Sequence, residues 1–334
     1  MKPNKKTNIK AAITAVGGYV PEDFISNKDL EKMVDTNDEW ITARTGIKKR
    51  RILKEKGKGT SFLAINAAKD LLSKRKIDPE TIDLVIVSTI TPDFHVASTA
   101  PTVASAINAK NAYAYDLSAA CSGFLYGMST ATSFIESGRY KKVLIIGADM
   151  MSSIVDYTDR STSILFGDGA GAVMLEPSSE GLGVQDSILK SDGSGGEFLH
   201  MKAGGSARPA SHETVQAREH HVWQDGQAVF KAAVTSMADV SAEIMQKNNL
   251  EAKDVSWLVP HQANQRIILG TAKKLGIDIK KTISTVNFHA NTSAASIPLA
   301  ISHAFKSGKI KKNDIIALCA IGGGLTWGSC ILKV

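Results

Sequence analysis

The feature that most restricts how this chain can fold is an order of elements that occurs twice. In each half an apolar run ends in a loop, and a further run leads into a helix that opens with small residues. That opening reads Ser118-Ala119-Ala120-Cys121-Ser122-Gly123 in the first half and Asn291-Thr292-Ser293-Ala294-Ala295-Ser296 in the second. Each half then has another buried run, at 142–147 or 314–320, and a glycine-rich turn into a closing run, Gly167-Asp168-Gly169-Ala170-Gly171 or Gly322-Gly323-Gly324. Runs of strand character alternating with helical periodicity predict α/β layers on mainly parallel sheets. Two such halves, 1–177 and 178–334, would bring equivalent strand ends to one place.

Local patterns fill in this layout. Strands are expected at 9–16, 83–89, 113–117, 142–147, 184–189, 257–259, 282–287 and 314–320, with a last one running to 334. Helices are expected at 27–33, 38–44, 60–74, 99–107, 226–248, 265–275 and 292–306. Another begins at Ser122, where Phe124, Leu125, Met128, Thr132 and Ile135 recur at three and four residues. Residues 164–175 read as a tight turn entering a strand, and the Gly- and Ser-rich stretch 181–211 as a surface excursion.

Composition narrows the class. With 334 residues, 43% hydrophobic and 22% charged, the chain can bury a large core. The first ten residues are basic and lack the apolar centre of a signal peptide. No apolar run reaches the roughly 18 residues of a membrane span. Cys121, Cys319 and Cys330 show neither metal-ligand spacing nor a disulfide framework, so a reduced, cytoplasmic protein without a metal is expected. The net charge of +7 is spread over clusters such as Lys48-Lys49-Arg50-Arg51, which read as solvated faces and also suit a protein that attracts acidic partners. Nothing in them points to nucleic acid.

The chemistry-bearing residues lie at the predicted strand ends. Cys121 sits where a strand turns into the first turn of a helix, a position whose free N–H groups favour a thiolate. Its small neighbours leave room for a substrate; a lone cysteine is also commonly a small buried hydrophobe. His261 follows Pro260 at a strand end, as a functional imidazole or a satisfied structural one. Asn291 stands at a helix mouth, where asparagine is also a favoured cap. Gly322-Gly323-Gly324 leaves the backbone bare, as an oxyanion hole or a plain turn would.

Taken together, the motifs resemble one family. Residues 35–46 (DTNDEW to RTG), 119–124 (AACSGF), 166–172 (FGDGAGA), 259–264 (VPHQAN), 291–296 (NTSAAS) and 322–329 (GGGLTWGS) stand in the order seen in β-ketoacyl-acyl carrier protein synthase III, over nearly the whole chain. The resemblance implies a thiolase-like fold of five α/β layers in two related halves, usually as a homodimer. It implies a decarboxylative Claisen condensation of an acyl-CoA starter with malonyl-acyl carrier protein, initiating fatty-acid synthesis, with the coenzyme A thioester as substrate and no further cofactor. By similarity Cys121 is the nucleophile, and His261 and Asn291 serve the decarboxylating half. The backbone N–H groups of Cys121 and Gly323 would form the oxyanion hole. Trp40, Arg44 and Arg160 would hold the CoA nucleotide, while Phe166, Gly226, Ala263 and Asn264 would line the pantetheine tunnel. Lys231, Gln262, Arg266 and Lys274 would meet the acidic carrier protein.

The chain departs from the family pattern at Ala290, where glycine is usual, at Ile321 and Leu325, where many members have phenylalanine, and at Val96 in the loop near the acyl pocket. These departures bear on the starter group and leave Cys121, His261 and Asn291 untouched. Three alternatives remain at this level: a secondary-metabolism condensing enzyme with other acyl units, a cysteine acyl-hydrolase, and a non-catalytic acyl-carrier-binding module.

Overall fold

The structure, a computed structural model, describes residues 9–334; the basic segment 1–8, with most of the stretch compared to a signal peptide, lies outside the described residues. Two sheets carry the fold. The first orders its strands Lys10–Tyr19, Asp168–Ser178, Val143–Met150, Leu84–Ser88 and Tyr113–Leu117. The second orders Gly183–Ser191, Thr326–Lys333, Ile315–Gly322 and Trp257–Pro260. Read from the same edge, both begin with two antiparallel pairings and then turn parallel, so the sheets are mixed and not mainly parallel as the alternation of strands and helices predicts. The duplicated order of elements is thus a duplicated sheet topology.

Alternation along the strands produces the layers. Leu84 and Ile86 join a core shared with helices Gly123–Glu136 and Ser296–Lys306, whereas Val85 and Val87 face helices Thr60–Arg75 and Thr99–Ala106. On the second sheet, Ile316, Leu318 and Ala320 face the same central helices, whereas Ala317, Cys319 and Ile321 face Gly226–Lys247 and Gln265–Leu275. The result is five layers: helices, sheet, a central helix pair, sheet, helices. Each fully buried Leu, Ile or Phe here adds about 1.5–3 kcal/mol.

The glycines of residues 166–172 find their reason in this packing. A Cβ on Gly171 would lie 2.6 Å from Leu299 N and 2.7 Å from Pro298 C. The central helix Ser296–Lys306 can approach the first sheet only because that atom is missing.

Several expectations are corrected. Residues 282–287 do not form a strand; a single parallel bridge, Leu258 to Thr282, stands where the first sheet has its fifth strand. The Gln262 side chain intervenes, donating to Pro260 O (2.7 Å) and Ile283 O (3.2 Å) and accepting from Thr285 N (2.7 Å), after which the chain coils into helix Val286–His289. The helix expected from 292 begins with a 3₁₀ turn, Ser293–Ala295, and becomes α-helical at Ser296. Its first turn matches the Ala120–Ser122 turn before helix Gly123–Glu136, and both open on a left-handed residue, Ala120 (φ 46°) and Ser293 (φ 50°). The helix expected at 27–33 ends after one turn, Asn27–Leu30. The stretch 181–211 is not wholly a surface excursion, because Leu199–Met201 pairs with Val222–Gln224 and this ribbon walls the site described next. Among the described residues, no helix is long and apolar enough to cross a membrane.

Candidate active site

Cys121 sits in the 3₁₀ turn that feeds the central helix Gly123–Glu136, with 6% of its surface exposed. The turn is locked from the second half of the chain. Thr326 Oγ1 donates to Ala119 O (2.9 Å) and accepts from Ser122 Oγ (2.8 Å), which also lies 2.7 Å from that carbonyl. The closing strand runs so close that a Cβ on Gly322 would lie 2.6 Å from Cys121 N.

His261 extends the parallel pairing of its strand, its backbone N–H donating to Cys319 O (2.7 Å) on the neighbouring strand. Its ring is buried, and Nδ1 lies 2.7 Å from Ser296 Oγ. Ser296 Oγ also accepts from Gln262 N (3.4 Å); when its own proton points at Nδ1, the imidazole proton sits on Nε2. Burial pushes the imidazole down to about 3, so it is neutral at physiological pH.

Asn291 is 6% exposed. Its Oδ1 accepts from Ser293 N (2.9 Å), which fixes the carboxamide and leaves its NH2 as the free end. Its backbone is held on both sides by the segment before the Asp168 strand: Asn291 N donates to Leu165 O (3.0 Å) and Gly167 N donates to Asn291 O (3.0 Å). Before it, Ala290 adopts φ 63°, ψ −162°, a conformation that normally requires glycine.

Cys121, His261 and Asn291 line one cavity of about 490 Å³. The same cavity is bordered by Phe166, Gly226, Ala263 and Asn264, and by Arg44 and Arg266. Asn264 also caps the helix Gln265–Leu275 through Ile267 N (2.9 Å). Trp40 and Arg160 do not line it but adjoin Arg44: the guanidinium carbons of Arg44 and Arg160 lie 5.7 and 5.1 Å from the Trp40 ring centre. Gly323 borders a smaller side cavity of about 80 Å³ that also reaches Cys121. That side cavity is apolar, walled by Ile90, Met151, Ile154, Leu199 and Val222.

Two readings of the site need correction. Gln262 has no exposed surface and spends its amide on the backbone, so it cannot meet a carrier protein. Lys231 and Arg266 remain exposed; Arg266 stacks on Phe230 (5.0 Å), and Lys274 is paired with Asp239 (2.7 Å). Against the thiolate expected at the helix mouth, burial pushes the Cys121 thiol up to about 12.

Three residues near the sulfur escaped the sequence reading. Asp149, with no exposed surface, accepts from Thr89 Oγ1 (2.9 Å), Ile90 N (2.8 Å) and Thr91 Oγ1 (3.0 Å) on one oxygen and from Ala294 N (3.1 Å) on the other. Ser293 Oγ, buried without a well-aligned partner, lies beside both the Cys121 thiol and the Asp149 carboxylate, and draws the thiol down against the effect of burial. Ser296 holds the His261 ring through Nδ1. The available signal was Asp149, a charge closing the apolar run Val143-Leu144-Ile145-Ile146-Gly147-Ala148.

Comparison with known proteins decides the family. Profiles described as 3-oxoacyl-[acyl-carrier-protein] synthase III match residues 115–193, and those of its C-terminal part match 245–334. A beta-ketoacyl-[acyl-carrier-protein] synthase III of Chlorobium chlorochromatii is 55% identical over 97% of this chain and 99% of its own. The chain belongs to the 3-oxoacyl-[acyl-carrier-protein] synthase III family. A second family member, from Bacteroides thetaiotaomicron, is 53% identical over 97% of this chain and 96% of its own. The crystal structure of the synthase III from Aquifex aeolicus superposes with a TM-score of 0.90 at 44% identity, covering 97% of this chain and all of that one. Membership makes the protein an acyl-transferring condensing enzyme on a thiolase fold.

Proposed function

We propose that the protein primes fatty-acid synthesis, with Cys121 carrying the acyl group between an acyl-CoA starter and malonyl-acyl carrier protein. The Cys121 sulfur attacks the starter thioester; its proton passes to the departing CoA sulfur, leaving acyl-Cys121 and CoA. Malonyl-acyl carrier protein then loses CO2, and the resulting enolate attacks the acyl carbon. The Cys121–carbon bond breaks, and β-ketoacyl-acyl carrier protein leaves. In both halves, backbone N–H groups of Cys121 and Gly323 hold the tetrahedral oxyanion, each worth about 3 kcal/mol.

One observation carries this reading over a hydrolase. In a cysteine hydrolase of the Cys-His-Asn kind the asparagine orients the histidine, which acts as base. Here Asn291 Oδ1 is taken by Ser293 N, and Nδ1 of His261 is taken by Ser296. Asn291 thus has its NH2 free for the cavity, and the neutral imidazole, in the tautomer where Ser296 donates to Nδ1, offers Nε2–H to the oxygen of an enolate.

The arrangement also favours particular partners. The stacked Trp40, Arg44 and Arg160 suit an adenine ring and its phosphates at the mouth, and Lys231 and Arg266 suit an acidic carrier protein. The 80 Å³ apolar side cavity suits a short starter. A second copy of the chain fits the edge strand Tyr113–Leu117, whose outer side no strand pairs among the described residues, together with the exposed Phe94 and Val96 in the loop after the neighbouring strand Leu84–Ser88.

The test is intact-mass detection of acyl-Cys121 followed by addition of malonyl-acyl carrier protein. Cys121→Ala abolishes loading, whereas His261→Ala loads but forms no carbon–carbon bond. Release of free acid as the main product would overturn the proposal.

A further inference from the structure

Arg50 presents a problem that the proposed chemistry does not use. It stands in a run of four basic residues that reads as a solvated face, yet none of its surface is exposed. Burial pushes its pKa down to about 10, so at neutral pH it still carries its charge inside the protein. Its hydrogen bonds go to neutral acceptors. Nε and one terminal nitrogen donate to Ile164 O (2.8 and 2.6 Å), and the other terminal nitrogen donates to Asn27 Oδ1 (2.7 Å). A buried charge whose own hydrogen bonds end on a carbonyl and a carboxamide, with the Asp38 carboxylate nearby behind Asn27, is poorly explained as a source of stability.

What those two acceptors hold explains it better. Asn27 passes the connection on through its Nδ2, which donates to Asp38 Oδ1 (2.7 Å) and to Ile47 O (2.9 Å). Asp38 opens the helix Asp38–Thr45, which carries Trp40 and Arg44. Ile164 closes the short helix Arg160–Ser163, whose first residue is Arg160. The two arms that stack on one another at the cavity mouth are therefore joined underneath by one guanidinium. Between the arms lie a small apolar cluster centred on Leu30, Ile41 and Ile164 and one direct bond, Arg160 donating to Asp35 O (3.0 Å). The residue after Ile164 continues the chain of contacts, since Leu165 O accepts the N–H of Asn291 (3.0 Å).

We infer that Arg50 is a positioning residue for the nucleotide end of the acyl-CoA, fixing the span between the Trp40–Arg44 arm and the Arg160 arm. This rests on the reading of Trp40, Arg44 and Arg160 as the CoA nucleotide site. Arginine suits the task because its planar fork reaches acceptors on two elements at fixed angles. A lysine ammonium at the same place reaches one of them.

The experiment compares two thioesters of one acyl group, acyl-CoA and the N-acetylcysteamine thioester, which lacks the nucleotide. For Arg50→Met and Arg50→Lys, KM for acyl-CoA rises about tenfold to a hundredfold, while kcat/KM for the truncated thioester stays within about threefold of wild type. Asn27→Ala cuts only the Asp38 side and gives the same split, which keeps the inference testable if Arg50→Met does not fold. Equal losses on both thioesters would reduce Arg50 to a merely structural role and overturn the inference, as would unchanged KM values in variants with native circular dichroism. Trp40→Ala is the control. If it discriminates between the thioesters and the Arg50 and Asn27 variants do not, the inference alone fails. If Trp40→Ala does not discriminate either, the nucleotide site has been misread and the inference falls with it.

Discussion

His261 and Cys121 are both kept uncharged by burial, and each leaves a mark on a pH profile. For His261 the unfolded imidazole titrates near 6.5 and the native one near 3. Between those values the unfolded chain binds a proton that the native state does not. Stability therefore falls as pH drops from about 6.5 toward 3, by about 1.4 kcal/mol per pH unit. His289, pushed down to about 3 by burial and the nearby Arg51, adds to the same slope. Asp168, raised to about 6 by burial, opposes it from pH 6 down to the ordinary carboxylate range. Urea midpoints measured between pH 7 and 4.5 should fall less steeply in His261→Ala than in wild type, by about one proton's worth. For Cys121, alkylation by iodoacetamide should climb about tenfold per pH unit above neutrality, with no plateau below about pH 10. At Ala290, strain of about 1–3 kcal/mol is set against the entropy of glycine, about 0.5–1 kcal/mol, and a lost buried methyl. Ala290→Gly should consequently unfold within about 1 kcal/mol of wild type, where an unstrained buried alanine would lose more.

Elements meet at the site through close backbone contacts. Gly322→Ala would press a methyl onto Cys121 N and Ala119 O, so acyl loading should fall by more than about a hundredfold and the denaturant midpoint should drop with it, by about 3 kcal/mol. Gly171→Ala meets the backbone of the central helix instead and should cost about 3 kcal/mol in denaturant titration without changing the chemistry of whatever fraction folds. The sequence made the alternating elements, the duplicated order and the positions of Cys121, His261 and Asn291 legible, because periodicity and small-residue openings are local signals. It did not reveal that residues 282–287 lose their strand to the Gln262 amide, since a side chain's competition with a ladder depends on a partner 21 residues away. Arg50 and Gln262 looked like surface residues for the same reason: polarity is local, whereas enclosure is a property of the assembled layers. The resting protonation of Cys121 was hidden likewise, because a helix terminus is readable from sequence and desolvation is not.

At the scale of the whole molecule, the site exists only where the two sheets' strand ends converge. Asp149 from the first sheet accepts the Ala294 N–H, and Thr326 from the second sheet locks the turn of Cys121. Asp149→Asn should slow acyl loading and lower the thermal midpoint together, because the same carboxylate anchors the loop at Thr89–Thr91 and the turn at Ala294 beside Cys121. The proposed pairing of two copies gives another test at this scale. Phe94→Asp with Val96→Asp should shift the mass by light scattering toward a single chain while leaving far-ultraviolet circular dichroism unchanged, since both side chains are exposed in the isolated subunit. The seclusion of sulfur, imidazole and carboxamide has a kinetic corollary. An acyl-loaded enzyme whose thioester sits where bulk water scarcely enters can outlast an interval without its second substrate. Its half-spent form is then a storable species, and the pace of priming is set by carrier-protein arrival rather than by leakage.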